Sequence, residues 1–139
     1  MIDKTTGQFK FSKDFVVSKQ STPDELIHYF GMENVEAKGM GLGWGQYTVR
    51  NIQIDHTYFI ITFYFNNHTL EIFNFIVSDK FIETGSWDDW SEKRELEKLD
   101  YYNNWLTSQI GEERQFPWGS IGSFFDSKGG SSNIILKYV

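Results

Sequence analysis

Three neighbouring carboxylates are the first residues in the chain that could perform chemistry. Asp88, Asp89 and Glu92 lie within five positions, and paired carboxylates can act as general acid and base in glycoside hydrolysis. The same residues fall in the predicted first turn of a helix, where acidic side chains offset the helix macrodipole. Because this structural role accounts for them, we expect no catalytic residues here and predict that the protein is not an enzyme.

Histidines and cysteines are the next candidates, because they bind metal ions. His28, His56 and His68 are spread along the chain without ligand spacing, and we interpret them as turn or surface residues. The chain has no cysteine, which excludes disulfides, zinc-thiolate sites and thiol nucleophiles. We therefore expect no metal and no other cofactor.

Four glycines at alternate positions, Gly39 to Gly45, raise the question of a phosphate-binding loop. Such a loop needs a strand before the glycines and a helix after them, so that amide groups and the helix dipole face the phosphate. Here a strand-like segment follows, and no Lys-Ser or Lys-Thr pair closes the run. The sequence favours a flexible loop or a glycine-rich strand.

The segment Trp87–Trp90 places two indoles around two acids at a helix start. In one interpretation both rings pack on the sheet and the acids face water. In the other the segment is an exposed recognition patch, because tryptophan is common at binding hot spots. Asp88 to Asp100 contains six acids and three bases, with Glu95 and Glu97 extending the negative field. We predict a protein-binding surface composed of Asp88, Asp89, Trp90 and Glu92.

Capping residues predict the two helices that would position these groups. Thr22 and Glu25 form a capping box, and Gly31 ends a short first helix. A long second helix is predicted to begin at Ser86 and to end at Gly111. Apolar residues at helical spacing predict its buried stripe: Leu96, Leu99, Tyr102, Leu106 and Ile110.

Alternating apolar residues predict that most of the remaining chain is strand. Residues 58–65 and 70–77 should form a central antiparallel hairpin with a turn at Asn66–Asn67. Residues 118–125 and 132–138 should form a closing hairpin. A change of apolar phase before residue 55 indicates a β-bulge near Arg50–Asn51. The predicted fold is α+β, a mainly antiparallel sheet with one short and one long helix packed on it.

Length and charge limit the class of protein. The chain has 139 residues, the size of one domain, and we predict a single domain over residues 1–139. Aromatic residues make up 18% of it, which excludes intrinsic disorder. A net charge of −6 argues against binding to nucleic acid or to an anionic membrane. Without a signal peptide or membrane-spanning segment, we expect a cytoplasmic protein.

The C-terminal part of the chain resembles a group of small, mostly uncharacterised bacterial proteins. The resemblance rests on three segments: Asn104–Gly111, Trp118–Ser123 and Asp126–Ile135. Proteins of this group look like the small acidic proteins found beside secreted bacterial toxins, where they serve as immunity partners. The resemblance implies no catalytic residue.

The sequence thus leaves two main functions to be compared, and a hydrolase with His56 beside an Asp or Glu in a polar pocket as a third. The first is a non-enzymatic protein-binding domain, specifically an immunity protein that neutralises a basic toxin domain. The alternative is a small-ligand or carbohydrate-binding domain with exposed aromatic platforms at Trp44, Tyr58 and Tyr64. The oligomeric state is left open.

Overall fold

A computed structural model describes residues 1–83 and 90–139 of the chain. Within these residues the structure has two α-helices, one short 3-10 helix (Met32–Asn34) and nine strands. The α-helices are α1 (Pro23–Phe30) and α2 (Glu92–Ile110). The strands are β1 (Phe9–Lys10), β2 (Val16–Val17), β3 (Val35–Gly41), β4 (Trp44–Ile54), β5 (Thr57–Asn66), β6 (Thr69–Ser78), β7 (Gln115–Phe116), β8 (Gly119–Asp126) and β9 (Ser131–Tyr138).

Seven of these strands form one antiparallel sheet in the order β3-β4-β5-β6-β9-β8-β7. Strands β3 to β6 follow one another through short turns, which permit only antiparallel neighbours. The chain then passes through α2 and returns so that β9 pairs with β6. β1 and β2 form a separate two-stranded hairpin. The predicted α+β fold with a mainly antiparallel sheet is confirmed.

The β5–β6 hairpin lies at the centre of the sheet, as predicted. Every odd residue from Phe59 to Phe65 is buried, whereas the even residues of β5 are only partly buried. The turn lies at Asn67–His68, where both residues have positive φ. It therefore begins one residue later than predicted, because Asn66 still pairs with Thr69.

The predicted β-bulge in β4 is also confirmed. The register between β4 and β5 shifts between Val49 and Ile52, and Asn51 has a φ of 53°. The Asn51 amide both accepts from the Ile82 N–H at 2.7 Å and donates to the Ile82 carbonyl at 3.0 Å. The bulge thereby fixes the segment that leaves β6.

The N-terminal hairpin and α1 contribute to the covering of the odd-residue face of the sheet. Phe9 of β1 contacts the rings of Phe59, Phe73 and Phe75 edge to face. α1 begins as predicted: the Thr22 hydroxyl accepts from the Glu25 N–H at 3.2 Å. Its end at Gly31 is also confirmed, since this glycine has a φ of 89°.

The glycine run lies in two strands and the turn that joins them, which agrees with the interpretation as a glycine-rich strand and not with that as a flexible loop. Gly39 and Gly41 belong to β3, Gly45 belongs to β4, and the turn between the strands is Leu42–Gly43. Gly39 pairs directly with Gly45. A strand follows the glycines, so the strand–loop–helix arrangement of a phosphate-binding loop does not form here.

The closing hairpin is confirmed as β8 and β9. Ile121, Ile134 and Leu136 are buried, and α2 packs against both strands. The predicted loop before this hairpin contains the two-residue strand β7, which pairs with the start of β8. Among the described residues, no helix is long and apolar enough to cross a membrane.

Candidate protein-binding surface

The predicted binding residues are only partly covered by the structure. Asp88 and Asp89 lie outside the described residues, as do Ser86 and Trp87. Trp90 and Glu92 are described: Trp90 lies two residues before α2, and Glu92 is the first residue of this helix. Among the described residues, the candidate surface therefore consists of Trp90 and the first turns of α2.

α2 begins later than predicted. Its N-cap is Ser91, which has an extended backbone and whose hydroxyl accepts from the Arg94 N–H at 3.1 Å. An extended Ser91 is incompatible with a helix that continues from Ser86 through this position, so the predicted start is wrong. The predicted end is confirmed, because the Gly111 N–H donates to the Thr107 carbonyl at 2.9 Å.

Trp90 is held against the turn between β8 and β9. Its indole N–H donates to the Gly130 carbonyl, and 42% of the residue remains exposed. A Cβ on Gly130 would lie only 3.1 Å from the indole nitrogen, and Gly130 has a φ of 71°. The glycine therefore provides both the left-handed turn and the close approach of the ring. Trp90 is neither packed into the core nor fully exposed, so the structure lies between the two predicted interpretations.

Glu95 is buried, contrary to the prediction that it extends a negative surface field. It is only 7% exposed. Its Oε1 accepts from the Ser132 N–H at 3.1 Å, and its backbone carbonyl accepts from the Ser132 hydroxyl at 2.6 Å. Oε2 lies 2.8 Å from Nζ of Lys98. The carboxylate thus joins α2 to the start of β9 and has a partner for its charge.

Leu96 is exposed, although the apolar stripe predicted it in the core. Its exposed fraction is 42%, while Tyr102, Leu106 and Ile110 are buried as predicted. Counting back from Leu99 by four residues reaches Glu95 and by three reaches Leu96, and both spacings fit a helix of 3.6 residues per turn. The helix takes the first spacing because Glu95 bonds to Ser132.

This helix phase produces a mixed acidic and apolar surface on α2. Glu92, Leu96 and Asp100 follow one another at intervals of four residues, and Glu97 and Tyr101 form the neighbouring row. All five residues are exposed. We call these five residues the α2 surface. Leu96 and Tyr101 supply apolar area, and three carboxylates lie beside it, with the exposed Lys93 preceding Glu97 in the same row.

The charge of the described segment is smaller than the sequence suggested. From Trp90 to Asp100 four acids are accompanied by three bases, and one of the acids is the buried Glu95. Most of the predicted negative charge therefore depends on Asp88 and Asp89.

The histidines lie apart, as predicted. His56 is in the β4–β5 turn and His68 in the β5–β6 turn, at opposite ends of β5, and His28 is exposed on α1. In residues 1–83 and 90–139, no group of three or more His, Asp and Glu side chains could hold a metal ion.

A cleft of about 380 Å³ lies between the N-terminus of α1 and the β3–β4 hairpin. Its lining includes Trp44, Tyr47, Phe65, His68 and Lys38. The Tyr47 ring contacts Phe65 edge to face at 5.5 Å. The aromatic residues proposed as platforms are half-buried: Trp44, Tyr58 and Tyr64. Their exposure therefore does not decide between the two predicted functions.

Known proteins offer no further guide to the site. Comparisons with models of protein families, with curated proteins and with solved structures find no match to this chain.

Proposed function

We propose that this chain is a non-enzymatic protein-binding domain and that it binds a basic partner at the α2 surface together with Trp90. The observation that carries the proposal is the exposure of Leu96 between Glu92 and Asp100, beside the exposed Tyr101. In α2 the buried position is occupied by Glu95, and the neighbouring Leu96 is exposed to water.

The surface has the two components that a steered protein interface needs. Exposed carboxylates raise the association rate with a partner of opposite charge, in a salt-dependent manner. Apolar and aromatic anchors slow dissociation once water is excluded. Trp90 is already fixed by its hydrogen bond to Gly130, so little side-chain entropy is lost when a partner covers the ring.

We propose further that the partner is a bacterial toxin domain and that the chain acts as its immunity protein in the cytoplasm. Two features support this choice. One is the acidic net charge of −6, which suits a basic partner. The other is the resemblance of the C-terminal segments to small acidic proteins found beside toxins.

The test is binding of the purified chain to the toxin domain encoded beside its gene, followed kinetically at two salt concentrations. Charge reversal at Asp88 and Asp89 should slow association and weaken its salt dependence. Glu97→Lys should act in the same direction. Trp90→Ala should instead speed dissociation. Asp14→Lys, in the exposed connection between β1 and β2, is the matched control and should leave both rates unchanged.

Parental kinetics in all of these variants would contradict the proposed surface while leaving the protein-binding function open. Absence of binding between the parent chain and the toxin domain would contradict the immunity function itself. Circular dichroism of each variant distinguishes a lost contact from a lost fold.

The cleft beside α1 supports a second candidate, a small-ligand or carbohydrate-binding domain. Its volume falls within the range of about 300–1,000 Å³ of small-molecule sites, and aromatic rings line it. Titration with a panel of mono- and oligosaccharides, followed by tryptophan fluorescence, tests this candidate. A saturable change that Trp44→Ala abolishes would favour it over protein binding.

A further inference from the structure

The two edges of the sheet are protected to very different degrees. β7 has two residues and is followed at once by Pro117, and short strands and prolines are common protections against edge-to-edge pairing. β3 has seven residues and contains no proline. Its pairing with β4 is regular from Val35 to Gly39, and the register shifts only between Gly39 and Gly41. On its outer side no strand in the described part of the chain pairs with it. β3 therefore presents a row of main-chain groups that can accept another strand.

The sequence of β3 is complementary to itself in one antiparallel register. If two copies of β3 pair with Ala37 opposite Ala37, Glu36 of each copy lies directly opposite Lys38 of the other. Oppositely charged residues at facing positions stabilise an antiparallel pair. We propose that β3 pairs with β3 of a second copy, which forms a symmetric dimer with one continuous sheet.

The ion pair within the chain is compatible with this arrangement. Glu36 contacts Arg50 through Oε2, and both side chains are largely exposed. A carboxylate has two oxygens and about four acceptor positions, so Oε1 can still accept from Lys38 of the second copy. The described residues show no ion pair for Lys38 in the single chain.

The opposite face of β3 is complementary in size. The same register places Val35 opposite Gly39 of the second copy. A Cβ built on Gly39 meets no atom within 4 Å, so open space lies above this glycine. The half-buried side chain of Val35, which packs against the core of its own chain, would lie beside that space and meet no clash there.

Exposed apolar residues lie at both ends of this edge strand. Leu42 is 98% exposed and Met40 51%, both at the end of the β3–β4 hairpin, and Met32 before β3 is 76% exposed. The proposed register pairs residues 35–39 of the two copies, so the hairpin end that follows Gly39 in one copy and the turn before Val35 in the other, which holds Met32, lie at the same end of the pair. Dimerisation would therefore bring Met32 of one copy near Met40 and Leu42 of the other, and part of their exposed apolar surface would be removed from water.

The test is the molar mass of the full chain in solution, measured by sedimentation equilibrium over a concentration series. The parent should approach twice its mass of 16.3 kDa as concentration rises. Glu36→Lys places Lys opposite Lys38, and Lys38→Glu places Glu opposite Glu36. Each variant alone should dimerise about tenfold more weakly, because every dimer contains two like-charge pairs.

An equimolar mixture of these two variants is the decisive measurement. One strand then carries two lysines and the other two glutamates, so the mixture should form a heterodimer at concentrations where each variant alone is monomeric. Lys13→Glu, which makes the same charge change at an exposed site away from β3, should dimerise like the parent.

A parent chain that stays monomeric over the whole concentration series would overturn the proposal. An equimolar mixture of the two variants that does not associate would also overturn it. The same holds if β3 accepts a strand of another protein while the chain alone remains monomeric. Because this test uses the chain alone, its failure leaves the proposed function of the α2 surface untouched.

Discussion

The β5–β6 hairpin and the first turns of α2 both carry a regular apolar pattern, yet only the hairpin buries the residues that its pattern indicates. In β5 every odd residue from Phe59 to Phe65 is buried. In α2 Leu96 is exposed and Glu95 is buried. A strand has only two faces, so a pattern of period two has one solution. A helix has neighbouring positions that fit almost equally well, and a single specific contact can decide between them.

The contacts that decide the phase of α2 are polar and distant in sequence. Glu95 bonds to Ser132, 37 positions later, and Trp90 bonds to Gly130, 40 positions later. Gly130 belongs to the turn between β8 and β9, and Ser132 is the second residue of β9. The start of α2 is therefore positioned by contacts with this turn and the start of β9. In the β5–β6 hairpin, the alternation of residue types along the strands determines which face is buried.

The largest effect should come from removing a core side chain in a strand. Leu136 of β9 is fully buried opposite Ile121. Leu136→Ala should lower the free energy of unfolding by about 2–5 kcal/mol, because it removes buried area and leaves a cavity. Chemical denaturation measures this change. A loss of less than about 0.5 kcal/mol would show that Leu136 does not contribute to the core.

An intermediate effect is expected at Glu95. Glu95→Ala leaves the buried Ser132 N–H without its acceptor, and an unsatisfied buried donor costs about 1–3 kcal/mol. Glu95→Gln should cost less, because its amide oxygen can still accept. Thermal or chemical unfolding of the two variants compares them.

Lys98→Ala is the control for the charge at this site. It removes the partner of Glu95 Oε2 but keeps the bond to Ser132, and a partly exposed ion pair contributes less than about 1 kcal/mol. If Lys98→Ala costs as much as Glu95→Ala, the ion pair and not the helix–strand bond decides the phase of α2.

Two buried tyrosines should make stability depend on alkaline pH. Burial raises the pKa of Tyr102 on α2, with a further contribution from the Glu95 carboxylate, and burial raises the pKa of Tyr138 on β9. In the unfolded chain both phenols lose their protons near pH 10. Above that pH the unfolded state binds fewer protons than the folded state, so the free energy of unfolding falls as pH rises.

The expected slope is up to about 1.4 kcal/mol per pH unit for each tyrosine. Denaturation of the parent and of Tyr102→Phe between pH 9 and pH 11 measures it, and the variant should have the shallower slope. Tyr102→Phe/Tyr138→Phe should be shallower still. Equal slopes in all three proteins would show that these phenols do not control alkaline stability.

The predictable part of this molecule is the part that local pattern determines. The bulge near Asn51, the cap at Thr22 and the closing hairpin all follow from residues within a few positions of each other. The exposure of Leu96 could be suspected only from its alternative spacing to Leu99. The approach of Trp90 to Gly130 has no local signal, because it depends on where the sheet places a turn relative to a helix.

The smallest effect on stability, and the most informative about function, is expected from Leu96→Ala. Leu96 lies on the solvent side of α2, so the free energy of unfolding should change by less than about 0.5 kcal/mol. Leu99→Ala is the matched control, with the same residue type three positions further along the helix. Leu99 is half-buried, and its truncation should cost more than about 1 kcal/mol.

The dissociation rate of the partner provides a second comparison of Leu96→Ala with Leu99→Ala. If the α2 surface binds the partner, Leu96→Ala should speed dissociation because it removes an apolar anchor between two carboxylates. Leu99→Ala should leave the dissociation rate close to that of the parent as long as the protein is folded. A large loss of stability in Leu96→Ala would show that this residue lies in the core. The helix would then have the phase that its apolar pattern predicts. Unchanged dissociation with unchanged stability would make Leu96 an ordinary exposed leucine, and Trp90 would then have to anchor the partner without it.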